Sequence, residues 1–105
     1  MISVTITRER GRIDRVSVSG HAGYAGYGKD VVCAAVSAVA QTALMGLMHY
    51  ESSVEYVRDD EKGYLSFSVP KGKNEAVLQG IVETAVIGLK DIATGYGTFV
   101  KVEEK

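Results

Sequence analysis

Between Val31 and Met48 the chain carries no charged side chain, a mostly apolar stretch worth roughly 27 Å of α-helix. In a chain of 105 residues such a segment dictates most of what surrounds it. It is a poor membrane span: Ser37, Gln41 and Thr42 interrupt it, and six of its residues are alanine or glycine, too little apolar bulk for a stable insertion. It must therefore pack against protein. Apolar residues surround it on nearly every side, so a two-layer monomer would leave one flank wet. That excess predicts a second subunit, and a homodimer is the simplest closed solution.

The flanking segments supply the other layer. Ile2, Val4 and Ile6 alternate with Ser3, Thr5 and Thr7, and Val16 and Val18 with Arg15, Ser17 and Ser19. Both patterns have the period of a half-buried strand, and Glu9-Arg10-Gly11-Arg12 is the turn that would join them. A helix from about Val31 to Tyr50 follows, with Asp30 as N-cap. Val54 to Val57 reads as a third strand, and Tyr64 to Val69 as a fourth. Asp59 to Gly63 is the polar turn between them. After Pro70, Asn74 is placed to cap a second helix with Leu78, Ile81, Val82, Ala85, Leu89 and Ile92 at helical spacing. Gly95 would stop it, and Tyr96 to Val102 reads as a last strand before a charged tail. The order β-β-α-β-β-α-β predicts an α+β two-layer sandwich over residues 1–105, a mixed but mainly antiparallel sheet with two helices.

Charge and cysteine content exclude several classes. Twelve basic against thirteen acidic residues leave a net charge of -1, unlike a dedicated nucleic-acid binder. One cysteine allows no internal disulfide and no metal knuckle, so no cofactor is expected. Met1 runs directly into the first strand without a basic-then-apolar leader, which predicts a cytoplasmic protein.

The chemistry concentrates between Ser19 and Cys33. His21 leaves a strand, and Gly20, Gly23, Gly26 and Gly28 loosen the loop around Tyr24 and Tyr27. Cys33 falls in the first turn of the long helix. There the positive end of the helix favours a thiolate, and a neighbouring imidazolium would favour it further. The same histidine can later protonate a leaving amine, and the first-turn amides are candidates to hold an oxyanion. On residues alone a second reading stands beside this one: Cys33 as a small buried hydrophobe in an alanine-rich helix. Asp30 is first a helix cap, though it could orient His21. Ser37, one turn beyond Cys33, could bond toward the sulfur or back to its own helix. Gly23 to Lys29 also fits the G-x-x-x-x-G-K of a phosphate loop. Asp30, however, stands where Ser or Thr should hold Mg²⁺, and its carboxylate would repel the phosphate. His49, near the helix end, suits a favourable interaction with the dipole there.

Gly20-His21-Ala22, followed by Gly28-Lys29-Asp30-Val31-Val32-Cys33-Ala34-Ala35-Val36-Ser37, resembles the bacterial ribosomal-processing cysteine protease family, Prp. The resemblance joins two motif segments at a fixed separation and extends to length and element order. It implies a cysteine endopeptidase that removes an N-terminal extension from the twenty-seventh protein of the large ribosomal subunit. Cleavage would follow a pair of phenylalanines and precede a small residue. By motif position Cys33 is the nucleophile, His21 the general base, and Asp30 and Ser37 supporting residues. The resemblance also implies a homodimer and a mobile flap over Ala22 to Lys29, in which Tyr24 and Tyr27 offer surface to aromatic substrate residues by their own chemistry. This loop holds more glycine than the family pattern needs, which predicts a looser flap. The reading from another class is a non-catalytic, ribosome-associated binding module that keeps the motif.

Overall fold

The computed structural model describes residues 1–21, 23 and 30–105. Its elements are β1 (Ile2–Glu9), β2 (Arg12–Ser19), α1 (Val31–Tyr50), β3 (Tyr56–Asp59), β4 (Tyr64–Ser68), α2 (Glu75–Gly95) and β5 (Val100–Glu104). The five strands form one sheet in the order β3-β4-β2-β1-β5. Among the described residues only the β1–β5 pair is parallel. This is the expected α+β sandwich with a mixed, mainly antiparallel sheet.

Alternation explains which face of the sheet is covered. Ile2, Val4 and Ile6 of β1, Ile13, Val16 and Val18 of β2, and Leu65 and Phe67 of β4 join the buried residues of both helices in one core. The opposite face is polar: Ser66 is buried there, its hydroxyl bonded to Ser17 Oγ at 2.8 Å and to Arg15 Nη1 at 3.0 Å. The β1–β2 turn runs through Arg10 (φ 54°) and Gly11 (φ 84°), two left-handed residues whose twist matches the strands they join. The β1–β2 register slips between Thr7 and Arg8. There Gln79 of α2 serves the β2 backbone, accepting from Ile13 N and donating to Ile13 O, both at 2.8 Å.

Asp30 starts α1. Its backbone is extended (φ −82°, ψ 100°) and its Oδ1 accepts from Val32 N at 3.0 Å and Cys33 N at 2.9 Å. Two amides that would otherwise lack intrahelical partners are thereby satisfied. By length and composition α1 passes as a membrane span, yet it packs on the sheet through Val32, Val36, Ala40, Ala43, Leu44 and Leu47. Its excess apolar surface is as expected: Val31 is 57% and Met45 63% exposed.

Four expectations are corrected. The third strand begins at Tyr56 rather than Val54, because Val54 is drawn into the core and leaves the edge position to its successors. The last strand is Val100–Glu104, not Tyr96 to Val102. Tyr96 caps α2, and the charged tail pairs in parallel with β1, since strand pairing uses backbone groups and tolerates charge at an edge. The α2 stripe is rotated: Leu78, Val82, Val86 and Leu89 are buried, while Ile81, Ala85 and Ile92 are only partly covered. Ile81 turns instead toward Gly46 of α1, where an added Cβ would stand 3.3 Å from its Cγ2. Asn74 makes no side-chain cap bond; its Nδ2 donates to Tyr50 O at 3.1 Å and ties the start of α2 to the end of α1.

Arg8 joins three elements. It bonds both carboxylate oxygens of Glu83 on α2, at 2.7 and 2.9 Å, and Glu104 of β5 at 3.0 Å. The guanidinium holds the Glu83 and Glu104 carboxyls below their ordinary range, and Lys90 adds to the effect at Glu104. A carboxyl depressed in the folded state stabilises the fold above its unfolded value and ceases to do so as pH falls through the folded one. The stability gap between wild type and Arg8→Gln should therefore be widest near neutral pH and narrow below the ordinary Glu value of about 4.3. Urea unfolding at neutral and acid pH measures it; an unchanged gap in acid would contradict this account. For the α1 cap, Asp30→Ala should cost about 1 kcal/mol, whereas Asp30→Asn, itself a good cap, should remain within a few tenths of wild type. Parallel denaturation curves compare the two.

Candidate active site

The end of β2 and the start of α1 build the site. β2 delivers Gly20 and His21 at its end, and α1 presents Cys33 in its first turn. A cavity of about 590 Å³ opens between them, and its lining includes His21, Asp30, Cys33 and Ser37 as well as Gly20 and Gly23. Residues twelve apart in the chain are thus brought to one concave surface.

Cys33 is half-buried at the third helical position, with its own N–H held by the Asp30 carboxylate. Asp30 is 9% exposed. The helix turn carries Ser37 to the same wall, and a further turn adds Gln41; residues four apart share one face of a helix. The expected oxyanion role of the first-turn amides meets a competitor. Those of Val32 and Cys33 are spent on Asp30 Oδ1, and that of Ala34 on Asp30 O at 3.1 Å.

His21 is exposed, and its Nε2 lies 3.4 Å from Glu61 O. The segment that receives it is the β3–β4 turn, which sequence reading treats as a solvated run of charge. Gly20 takes φ +92°, and a Cβ there would collide with the Met1 carbonyl oxygen, so glycine is needed for β2 to turn toward the cavity. Of the residues assigned to the flap, Gly23 (φ +73°) lines the cavity. Tyr24, Gly26, Tyr27 and Gly28, with Ala22, Ala25 and Lys29, lie outside the described residues.

Beyond these, Arg58, Asp60, Gly63 and Tyr64 of the β3–β4 hairpin reach the cavity. Arg58 Nε donates to Asp60 Oδ1 at 2.7 Å, which holds the Asp60 carboxyl below its ordinary range. Nothing in their local sequence marks them, because only the β2–β4 pairing carries that hairpin to the end of β2. Gln41 was accessible in principle from its spacing to Cys33 and Ser37. The apolar floor of the cavity comes from Ile2, Val18, Val36, Ala40 and Leu65. Among the described residues no cluster of three His, Cys, Asp or Glu side chains stands ready to hold a metal ion.

A half-buried thiol at a helix N-terminus, a histidine on the same cavity and an apolar floor suit thiol chemistry on an extended apolar chain. The sequence model of the family described as cysteine protease Prp matches residues 1–101. The chain is 34% identical to the ribosomal processing cysteine protease Prp of Staphylococcus aureus over 110 residues, spanning all of both proteins. It is 30% identical to that of Bacillus subtilis over 109 residues, 97% of this chain and 96% of the relative. Among solved structures, the S. aureus essential ribosomal processing protease Prp with a covalently linked product peptide superposes with a TM-score of 0.89 at 30% identity. The coverage is complete on both sides. The same S. aureus protease with a substrate peptide gives 0.86 at 28% identity, again with full coverage. On family match, identity and fold together, the chain belongs to the Prp family of cysteine proteases.

Proposed function

We propose that this protein is a ribosomal-processing endopeptidase in which Cys33 is the nucleophile and His21 the general base and acid. The observation that carries the reading is that Cys33 and His21, at the two ends of the glycine-rich segment, line the same cavity. Its support is twofold: the S. aureus relative holds a peptide, and the four residues to which the resemblance assigns roles, Cys33, His21, Asp30 and Ser37, line this cavity.

The steps follow from the chemistry of the groups. His21 takes the Cys33 proton, and the thiolate adds to the scissile carbonyl carbon. As the C–N bond breaks, the imidazolium gives that proton to the departing amine, leaving a thioester. Water, deprotonated by His21, then cleaves the C–S bond and restores the thiol. The helix N-terminus favours the thiolate throughout. Asp30 supports this by capping α1, which sets the orientation of its first turn and hence of the sulfur.

The substrate in this reading is the N-terminal extension of the twenty-seventh protein of the large ribosomal subunit, cut after a Phe-Phe pair in the cytoplasm. The floor of Ile2, Val18, Val36, Ala40 and Leu65 suits aromatic side chains, whose burial is favourable in proportion to the apolar area covered. The protein acts as a homodimer joined through the outer faces of α1 and α2. A shallow apolar groove runs there over Val39, Ala43, Gly46, Val77, Ile81 and Gly88. Small residues at its base let a second helix approach closely.

A peptide with an apolar N-terminal segment ending Phe-Phe, followed by Ala and a basic stretch, should be cut once, after the second Phe. Cys33→Ala should abolish the cut, and His21→Ala should slow it by about 10²–10⁴-fold; product masses report both, and a Cys33→Ala protein that still cleaves would overturn the assignment. By light scattering the wild type should have about twice the 11.2 kDa chain mass, and Val77→Glu, which buries a charge in the proposed interface, should shift it toward the monomer. A wild-type mass of one chain would remove the dimer.

A further inference from the structure

The turn between β3 and β4 meets His21 at two separate points. An ideal Cβ built on Gly63 would stand 2.6 Å from Gly20 O, 3.0 Å from His21 Cε1 and 3.1 Å from His21 Nε2. Glu61 O, two residues earlier, lies 3.4 Å from the same Nε2. The sheet explains the meeting. Val18 pairs with Leu65, and carried two residues further the same register sets Gly20 opposite Gly63. Both glycines have left-handed backbones there, φ +92° and φ +60°. Just beyond the last ladder pair, Val18 and Leu65, the two chains thus approach at residues without side chains, and the His21 imidazole lies against Gly63.

The turn is itself held in shape. Gly63 N donates to Asp60 O at 3.2 Å, Lys62 N donates to Asp59 Oδ1 at 3.2 Å, and Arg58 grips the Asp60 carboxylate through both of its oxygens. A carbonyl oxygen can only accept, so contact with Glu61 O requires the proton on Nε2. Nδ1 is then the basic nitrogen of the neutral ring. At 3.4 Å the bond is long, as catalytic hydrogen bonds in unliganded proteins commonly are.

We infer that the β3–β4 turn is the positioning element of the His21 imidazole, with Gly63 as the residue whose bare Cα admits the ring and the Glu61 carbonyl as the acceptor that selects its tautomer. The inference rests on His21 being the general base. In that role Nδ1 receives the Cys33 proton, and Nε2–H keeps Glu61 O through both the neutral and the cationic ring. A backbone carbonyl here does the work that a carboxylate or amide side chain does in other nucleophile–histidine pairs.

The test compares Gly63→Ala with Gly11→Ala. Gly11 has an equally left-handed backbone, φ +84°, but nothing within 4 Å of an added Cβ, so it reports backbone strain alone. Gly63→Ala should lower kcat roughly 10- to 100-fold, the scale of a misplaced catalytic group, with KM little changed. The pH profile of Cys33 alkylation should move toward that of His21→Ala, while Gly11→Ala should stay within about twofold of wild type on every readout, since backbone strain in a distant turn does not act on the site. A Gly63→Ala protein that cleaves as fast as Gly11→Ala, or whose alkylation profile overlays the wild type, would overturn the inference. Nitrogen NMR of the wild-type imidazole, assigned against His49→Gln, gives a reading independent of that variant's folding. The Nε2–H tautomer is expected, and an Nδ1–H tautomer would refute the turn's role. Neither alkylation nor tautomer depends on the peptide chosen. A wild type that leaves the Phe-Phe peptide intact would therefore discredit the proposed substrate without touching this inference.

Discussion

Val32, Val36, Ala40, Ala43 and Leu47 seat α1 across the sheet, and almost everything functional follows from that contact. A helix has one buried face, and choosing it fixes the direction of every other side chain on it. With Val32 and Val36 turned into the core, Cys33 and Ser37 are rotated about 100° from them, toward the cavity at the end of β2. Asp30 then locks the first turn by accepting from two of its amides. The helix is thus anchored both by apolar burial along its length and by a polar bond at the one end where chemistry is expected.

The polar interactions divide by place and purpose. Arg8, Glu83 and Glu104 bind β1, α2 and β5 at one edge of the sheet, where the guanidinium holds both carboxyls below their ordinary range. At the other edge the Arg58–Asp60 pair stiffens the β3–β4 turn beside the cavity. Exposed pairs of this kind contribute little stability, so the second matters for the shape it maintains rather than for the energy it adds.

Reading the fold from residues works where a local pattern and the tertiary environment ask for the same thing. β1 alternates because one face of it is buried on the core and the other is not, and α1 is marked by an acidic cap and an apolar run. The reading slips where they differ. Val54 looks like a strand residue but fills the core from a loop. The tail after Val102 looks like solvent-exposed charge but finds the open edge of β1, whose backbone accepts any side chain. The α2 stripe is displaced because Ile81 and Ala85 serve the boundary with α1, so apolar character alone does not tell core from helix–helix seam.

The site shows the same division. Cys33, His21, Asp30 and Ser37 were legible because helix caps, helix ends and short motif spacings are local properties of the chain, and the structure gathers all four on one cavity. Arg58, Asp60, Gly63 and Tyr64 were not, since a polar turn carries no local mark of what it will face. The sequence by itself determined the order of the elements, the place of the cysteine in the first turn of a helix and the family. Only the tertiary structure, through the β2–β4 register, decided that a turn forty residues away would meet the histidine ring, because strand pairing at that separation depends on which apolar faces share the core.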